Sequence, residues 1–278
     1  MKVFSISLKN SKGRPNEDFY LISEKYPIFA VADGVSRMKN PDGSYPKISG
    51  AKLAAEEFCK ATTTYLEENY KKANFKILKN AFNFVNKAIF NLNEKYGINK
   101  KLDYLENDYF CTCGVAAFIK RDIFYYGYVG DCGIRVYNKN DLLKFVSMDD
   151  VVVLEGWRDN QKFKSEKERL IVWRKFLRNR PKAPYLTYGV FTGEPEVRHY
   201  YHLGEIKLQK GDLIFLYSDG FLYFIKKPEF RELFRVYKKG EIFDEVKKFV
   251  EREIKSAGII KENDETFLDD KTLTSILI

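Results

Sequence analysis

The order in which apolar periods follow one another constrains this chain most. VFSISL, FYLI and IFAVA fall within residues 1–34 and are parted by polar turns, SKGRPNED and EKYP, which reads as a β-rich opening. Helical spacing then takes over. Leu53, Phe58 and Leu66, and after them Phe75, Leu78, Phe82, Val85, Ile89 and Leu92, predict amphipathic helices from about Ser49 to Asn69 and from Asn74 to Tyr96. Ser49 can cap the first helix, and Gly97 stands where the second would stop. CTCGVAAFIK and DIFYYGYVGD follow as a hairpin across Lys120-Arg121-Asp122. HLGEIKL and DLIFLYSDG are expected to form another strand pair across Gln209-Lys210-Gly211, residues Glu229 to Ile254 a helix, and LTSILI the closing strand. Strands and helices come in groups rather than in alternation. That order implies an α+β fold with antiparallel sheets and segregated helices, not repeated βαβ units.

Residues 147–184 break the pattern with a charged stretch and one expected helix in SEKERLIVWRKFLRN, and read as an inserted flap. No internal repeat and no Pro-rich or Gly/Ser-rich linker divides the 278 residues, so a single domain over 1–278 is expected. With 45% hydrophobic and 31% charged residues the chain is excluded from the disordered and collagen-like classes. No run approaches the ~18 apolar residues of a membrane helix, and polar residues interrupt the start where a signal peptide needs an apolar stretch. A cytoplasmic protein without a membrane partner is expected. Four cysteines, at 59, 111, 113 and 132, are too sparse for a disulfide scaffold and are read as buried free thiols. The net charge of +9 is spread along the chain, so it is read as solvated surface and nucleic acid is not an expected partner.

Acidic residues stand at the strand ends. IFAVA ends in Asp33-Gly34, YYGYV in Gly130-Asp131 and LIFLY in Ser218-Asp219-Gly220, while Asn16-Glu17-Asp18 precedes FYLI and Asp269-Asp270 precedes LTSILI. One Asp-Gly after a strand is ordinarily a turn. Five acidic strand ends gathered at one edge of a sheet would repel one another strongly and call for cations. The donors are oxygens, since His199, His202 and the Cys111, Cys113 pair lie elsewhere, and hard oxygen ligands select Mg²⁺ or Mn²⁺ over Zn²⁺. Two such ions ~3.5–4 Å apart clamp a phosphate. Arg14, close before Glu17 and Asp18, can place a bidentate guanidinium on phosphate oxygens.

Six strings carry a family resemblance. GRPNEDFY (13–20), FAVADG (29–34), YVGDCGIRVY (128–137), LTYGVFTGEP (186–195), KGDLIFLYSDG (210–220) and LDDKTLTSILI (268–278) resemble, in order and over nearly the whole chain, the motifs of metal-dependent serine/threonine protein phosphatases of the 2C type. The resemblance implies a β-sandwich of two antiparallel sheets flanked by helix pairs. It implies that Asp33 bridges two Mg²⁺ or Mn²⁺ ions, that the carbonyl of Gly34 binds one of them, and that Asp219 and Asp269 complete the other. Glu17 would act through metal-bound water with Asp18 supporting it, Arg14 would hold the substrate phosphate, and Asp131 with Asp219 would take a third, weaker ion. The implied reaction is hydrolysis of phosphoserine or phosphothreonine on proteins by a metal-bridging water, without a phosphoenzyme. A phosphorylated protein is then the substrate and a kinase a candidate partner in signalling.

The chain departs from the family pattern at defined places. Val35-Ser36-Arg37 follows Asp33-Gly34 where many members have a histidine, and residues 36–50 form a longer polar loop. Cys132 replaces a serine, Asp270 an asparagine, and Arg14 lies three residues before Glu17 rather than four. Loss of the histidine motivates the alternative function, an inactive or weak pseudophosphatase that binds phosphoproteins. Cys132 reads as a small buried residue rather than a redox thiol, and Trp157 and Trp173 as packing residues of the flap.

Overall fold

The structure, a computed structural model, describes all residues except 10–12, 41, 160, 239 and 258–268, and omits the side chains of 153, 155, 158 and 159. Parts of the expected first turn, loop, flap, late helical region and last motif (residues 11, 12, 41, 160, 239 and 268) therefore lie outside the described residues. Strands β1 (Lys2–Leu8), β2 (Phe19–Ile22) and β3 (Ile28–Gly34) come first, then helices α1 (Gly50–Asn69), α2 (Phe75–Lys95) and α3 (Ile98–Lys101). Strands β4 (Thr112–Lys120), β5 (Ile123–Val129), β6 (Gly133–Tyr137) and β7 (Leu143–Val146) follow. The flap holds α4 (Val152–Asp159) and α5 (Glu166–Ile171), which runs into a π-helical turn over Val172–Leu177. The chain closes with β8 (His202–Lys207), β9 (Leu213–Tyr217), α6 (Leu222–Ile225), α7 (Pro228–Val236), α8 (Ile242–Ala257) and β10 (Lys271–Leu277).

The strands form two antiparallel five-stranded sheets, ordered β1-β10-β9-β6-β7 and β2-β3-β4-β5-β8. Alternation along each strand sorts its residues between two buried layers. Phe29 and Val31 of β3 and Val115 and Ala117 of β4 meet Ile214 and Leu216 of β9 and Ile134 of β6 between the sheets. Ala30, Ala32 and Ala116 face outward, and their small size lets Ala55 and Phe58 of α1 and Phe82 and Val85 of α2 pack against them. On the opposite outer face Leu213, Phe215 and Tyr217 of β9 lie under Phe230 and Phe234 of α7 and Val246 and Phe249 of α8. The expected α+β sandwich with helices outside each sheet is what the chain forms. Ser49 caps α1, its side chain accepting from the Lys52 N–H, and Gly97 takes a positive φ of 67° just after α2. Among the described residues no helix is long and apolar enough to cross a membrane.

Two local expectations are corrected. β8 and β9 are not a hairpin: β8 pairs with β5, whereas β9 lies between β10 and β6 in the other sheet. Their burial explains the separation, because every residue of β9 is buried and suits a central strand, while β8 is half exposed and suits an edge. The helix expected over Glu229 to Ile254 is two helices, α7 and α8, each turning an apolar face to the same sheet. The β6–β7 pair escaped the sequence reading because β7 is short and mostly exposed. The flap is more firmly seated than a surface insertion, since Leu154 and Leu177 join the core between the sheets and Arg178 is fully buried.

Candidate active site

Close backbone approaches, each needing a glycine, gather the acidic strand ends at one edge of the sandwich. A Cβ on Gly34 would lie 2.5 Å from the Ala51 carbonyl oxygen and 2.8 Å from that of Glu17, so the end of β3 is pressed against the start of α1 and the segment before β2. A Cβ on Gly220 would lie 2.2 Å from the Asp270 carbonyl oxygen, which fixes Asp219 beside the start of β10. Gly130, at φ +80°, turns the chain after β5 against Cys113, the register partner of Asp33. Asp33, Asp131, Asp219 and Asp269 consequently line one cavity of about 570 Å³, together with Arg14, Gly34, Val35 and Cys113.

Short polar contacts hold the remaining acids next to it. Ser218 Oγ donates to Asp18 Oδ2 at 2.6 Å and accepts from the Thr272 N–H at 2.9 Å, joining the residue before Asp219 to both β10 and Asp18. The Glu17 N–H donates to Asp270 Oδ2 at 3.0 Å. The buried Glu17 carboxylate accepts from Ser36 Oγ at 2.6 Å, from Tyr45 Oη at 2.7 Å and from Ser49 Oγ, so three hydroxyls fix its orientation. Arg14 donates from one terminal nitrogen to Asp269 Oδ1 at 2.7 Å and from the other to Ser36 Oγ at 2.5 Å. Its Nε is buried without a hydrogen-bond partner.

Burial and mutual repulsion govern the electrostatics. Burial, reinforced by Asp18, Asp219, Asp131 and Asp269, holds the Asp33 carboxyl well above the ordinary carboxylate range. Burial and then Asp131, Asp269 and Asp18 do the same to Asp219, whose Oδ1 is buried without a hydrogen-bond partner. Burial raises Asp18 to about 7 against the opposing hydrogen bond from Ser218. Asp269 is raised by burial against the pull of Arg14. The cation facing this group from within is Lys271, itself buried, whose Nζ donates to the Asp269 carbonyl at 2.6 Å and whose pKa burial lowers. Carboxylates that resist ionisation, and a carboxylate oxygen that no protein donor reaches, are what a cation-binding cavity shows before the cation is added.

Among the described residues no three Cys, His, Asp or Glu side chains close tightly enough to form a ready-made ligand cage. Mg²⁺ does not require one, since it keeps several waters and binds through one or two carboxylates. The donor set and the exposed demand for positive charge therefore fit a hard divalent cation.

The structure brings together all the acidic residues, Arg14 and Gly34 expected at the site from the sequence, and corrects the expectation for Cys113, which lines the cavity because it pairs with Asp33 across β3 and β4. Arg14, Asp33, Gly34, Asp131, Asp219 and Asp269 line the cavity, and Glu17 and Asp18 lie just behind it, tied to Arg14, Ser36 and Ser218. Sequence reasoning missed Ser36, Tyr45, Ser218 and Lys271, and also Arg37 and Arg174, which line the same cavity. Ser218 and Lys271 sit inside quoted motif strings beside aspartates, a signal that was available, whereas Tyr45 and Arg174 carry none. Trp157 and Trp173 do not line the cavity; Trp173 packs on Tyr188 at 5.7 Å between ring centroids. Cys132 is fully buried with its thiol pushed up, first by burial, so it is not a reactive thiol.

The family model described as protein phosphatase 2C matches residues 9–254. No curated protein matches the chain in sequence. In fold the chain is similar to the catalytic domain of serine threonine protein phosphatase PstP in complex with 2 manganese ions, at 15% identity over 99% of this chain and 96% of that chain, with a TM-score of 0.65. It is likewise similar to the Mycobacterium tuberculosis serine/threonine phosphatase PstP/Ppp, at 16% identity over 99% and 98%, with a TM-score of 0.65. RsbX in complex with magnesium matches at 14% identity over 98% and 92%, with a TM-score of 0.50.

Proposed function

Because the chain belongs to the protein phosphatase 2C family, we propose that it is a Mg²⁺- or Mn²⁺-dependent phosphatase that hydrolyses phosphoserine and phosphothreonine on proteins. The observation that carries the reading is the cavity edge where Asp33 and Asp219 are crowded, resist ionisation, and leave Asp219 Oδ1 buried without a donor. Crystal structures of similar fold holding manganese or magnesium support the choice of ion. The whole chain, 1–278, acts in this reading as one phosphatase domain in the cytoplasm, opposing a kinase.

Asp33, the Gly34 carbonyl, Asp219 and Asp269 would hold two ions, with Glu17 acting through coordinated water and Asp131 available to a third. When bound, such ions supply Lewis acidity toward a phosphate and lower the pKa of water into the neutral range. The protein's own side chains do the rest. Arg14, fixed by Asp269 and Ser36 and with Nε still unpartnered, orients the phosphate oxygens of the substrate. Ser36, Tyr45 and Ser49 keep the Glu17 carboxylate aimed by filling its acceptor sites. Asp18, braced by Ser218, keeps the segment before β2 in register with the end of β9. Val35 lines the cavity where many family members carry a histidine, so this chain brings no imidazole to protonate the leaving alkoxide.

The test is release of inorganic phosphate from a phosphothreonine peptide and from p-nitrophenyl phosphate, in EDTA and with Mn²⁺ or Mg²⁺. Metal-dependent release that Asp219→Asn abolishes is expected. Absence of release by folded protein with metal present sinks the reading and leaves the pseudophosphatase as its replacement.

A further inference from the structure

The cavity is larger than one phosphate requires. At about 570 Å³ it falls within the ~300–1,000 Å³ of pockets that take a drug-sized ligand. Part of its lining is basic: Arg37 and Lys39 from the loop after β3, and Arg169 and Arg174 from the flap. These cations are not equally satisfied. Arg169 forms a two-point pair with Glu166 of its own helix, which also lines the cavity. Arg174 shares Asp108 with Arg178: its Nε lies 3.2 Å from Asp108 Oδ2, while Arg178 binds both Asp108 oxygens at 3.1 and 2.6 Å.

The remaining donors of Arg174 go to neutral carbonyls, those of Tyr104 at 3.1 Å, Leu105 at 3.4 Å and Ser36 at 3.2 Å. Arg37 donates to the Glu106 carbonyl and lies 5.5 Å from the Phe110 ring centroid. Among the described residues Arg37 has no carboxylate within ion-pair distance, and Arg174 and Arg178 share the single carboxylate of Asp108. Burial lowers the pKa of Arg37, and Arg174 adds to the lowering against the pull of Asp108. Guanidiniums fixed by carbonyls, Arg37 half-buried and Arg174 buried in the cavity wall, with excess positive charge between them, are preorganised for an anion.

We propose that Arg37 and Arg174 form a second anion subsite in this cavity, which takes an acidic group flanking the phosphorylated residue of the substrate. The inference rests on the reading that the cavity receives a phosphorylated peptide, and it narrows the substrate class to phosphoproteins with an acidic neighbour. Two groups share the required chemistry: the carboxylate of a flanking acidic residue and a second phosphate on a flanking hydroxyl residue. Arg37 belongs to the polar loop in which this chain departs from its family, so the preference is a property of this chain's own sequence.

Binding of non-hydrolysable peptides tests the subsite without turnover. Fluorescence anisotropy is measured with excess Mn²⁺ at fixed ionic strength, for peptides carrying a phosphonate analogue of phosphothreonine flanked by alanine, glutamate, lysine or phosphoserine. The glutamate and phosphoserine peptides are expected to bind about tenfold more tightly than the alanine peptide, and the lysine peptide more weakly. Whichever of the two acidic flanks binds more tightly identifies the natural group. Arg37→Gln is expected to erase most of that gap and Arg37→Lys to keep part of it.

Equal affinity for all four peptides overturns the subsite, and so does a gap that survives in folded Arg37→Gln. The comparison among wild-type affinities stands even if a variant does not fold. Release of phosphate from p-nitrophenyl phosphate by the same preparation keeps the two readings apart: turnover without a flank preference removes the subsite alone, and a flank preference without turnover removes the catalytic reading alone.

Discussion

Asp219 and Asp33 are held where their own charges oppose them, and that opposition has measurable consequences. Asp219→Asn removes one charge from the cluster while keeping its shape. It is expected to abolish metal-stimulated phosphate release yet to raise the melting temperature of the metal-free protein by a few degrees, about 1 kcal/mol. A lower melting temperature in EDTA would mean that Asp219 is not repelled by its neighbours. The pH dependence follows from Asp18, raised to about 7 by burial. Below about pH 4 it is protonated whether the chain is folded or not. Between there and pH 7 only the unfolded chain ionises it, so metal-free stability falls as pH rises and levels off once the folded carboxyl ionises too. Asp33 and Asp219 shift in the same direction and add to the decline. Thermal melts in EDTA are therefore expected to give a higher midpoint near pH ~5 than near pH ~7.5, with Mn²⁺ restoring stability at the higher pH. A midpoint that climbs over that interval would contradict the raised carboxyls. The acids of the site were legible because an aspartate at the end of an apolar strand is a positional signal. Tyr45, Ser36 and Ser49 were not, since they reach Glu17 from a loop whose path no local pattern states.

At the scale of elements, the site depends on where strands end against one another and on how the flap is anchored. Gly220 leaves no room for a side chain beside the Asp270 carbonyl. Gly220→Ala is expected to push β9 and β10 apart at that point and to lower metal affinity at least tenfold, read by calorimetric titration with Mn²⁺; unchanged affinity would separate the turn from the metal site. The flap is tied down by Asp108 between Arg174 and Arg178. Asp108→Asn leaves both guanidiniums without their carboxylate and is expected to cost about 3–5 kcal/mol in urea unfolding. A loss under about 1 kcal/mol would show a flap that merely drapes over the body. This anchor was invisible in the sequence, because Asp108 and Arg178 lie 70 residues apart. The β8–β9 crossing was missed for a related reason: a short polar link between two apolar runs reads the same whether the second run returns beside the first or passes to the other sheet. Helices α1 and α2 were legible down to their caps, since periodicity and capping residues are local.

Over the whole molecule, the layer order was readable from the grouping of strands and helices, while the pairing of strands was not. Ends of the chain meet in one sheet: β1 lies against β10 from Lys2 opposite Leu277 to Leu8 opposite Lys271, and β10 also pairs with β9. Removal of residues 269–278 is expected to abolish the cooperative unfolding transition and metal binding together, followed by circular dichroism and Mn²⁺ titration; a cooperative melt in the shortened chain would show that the first sheet closes without its second strand. The same arrangement sets the timing of competence during synthesis. A nascent chain that has exposed everything up to α8 still lacks both the strand that unites β1 with β9 and the carboxylate of Asp269, so a prematurely terminated product emerges with the acidic cavity incomplete and with two strand edges left open to chaperones or to aggregation.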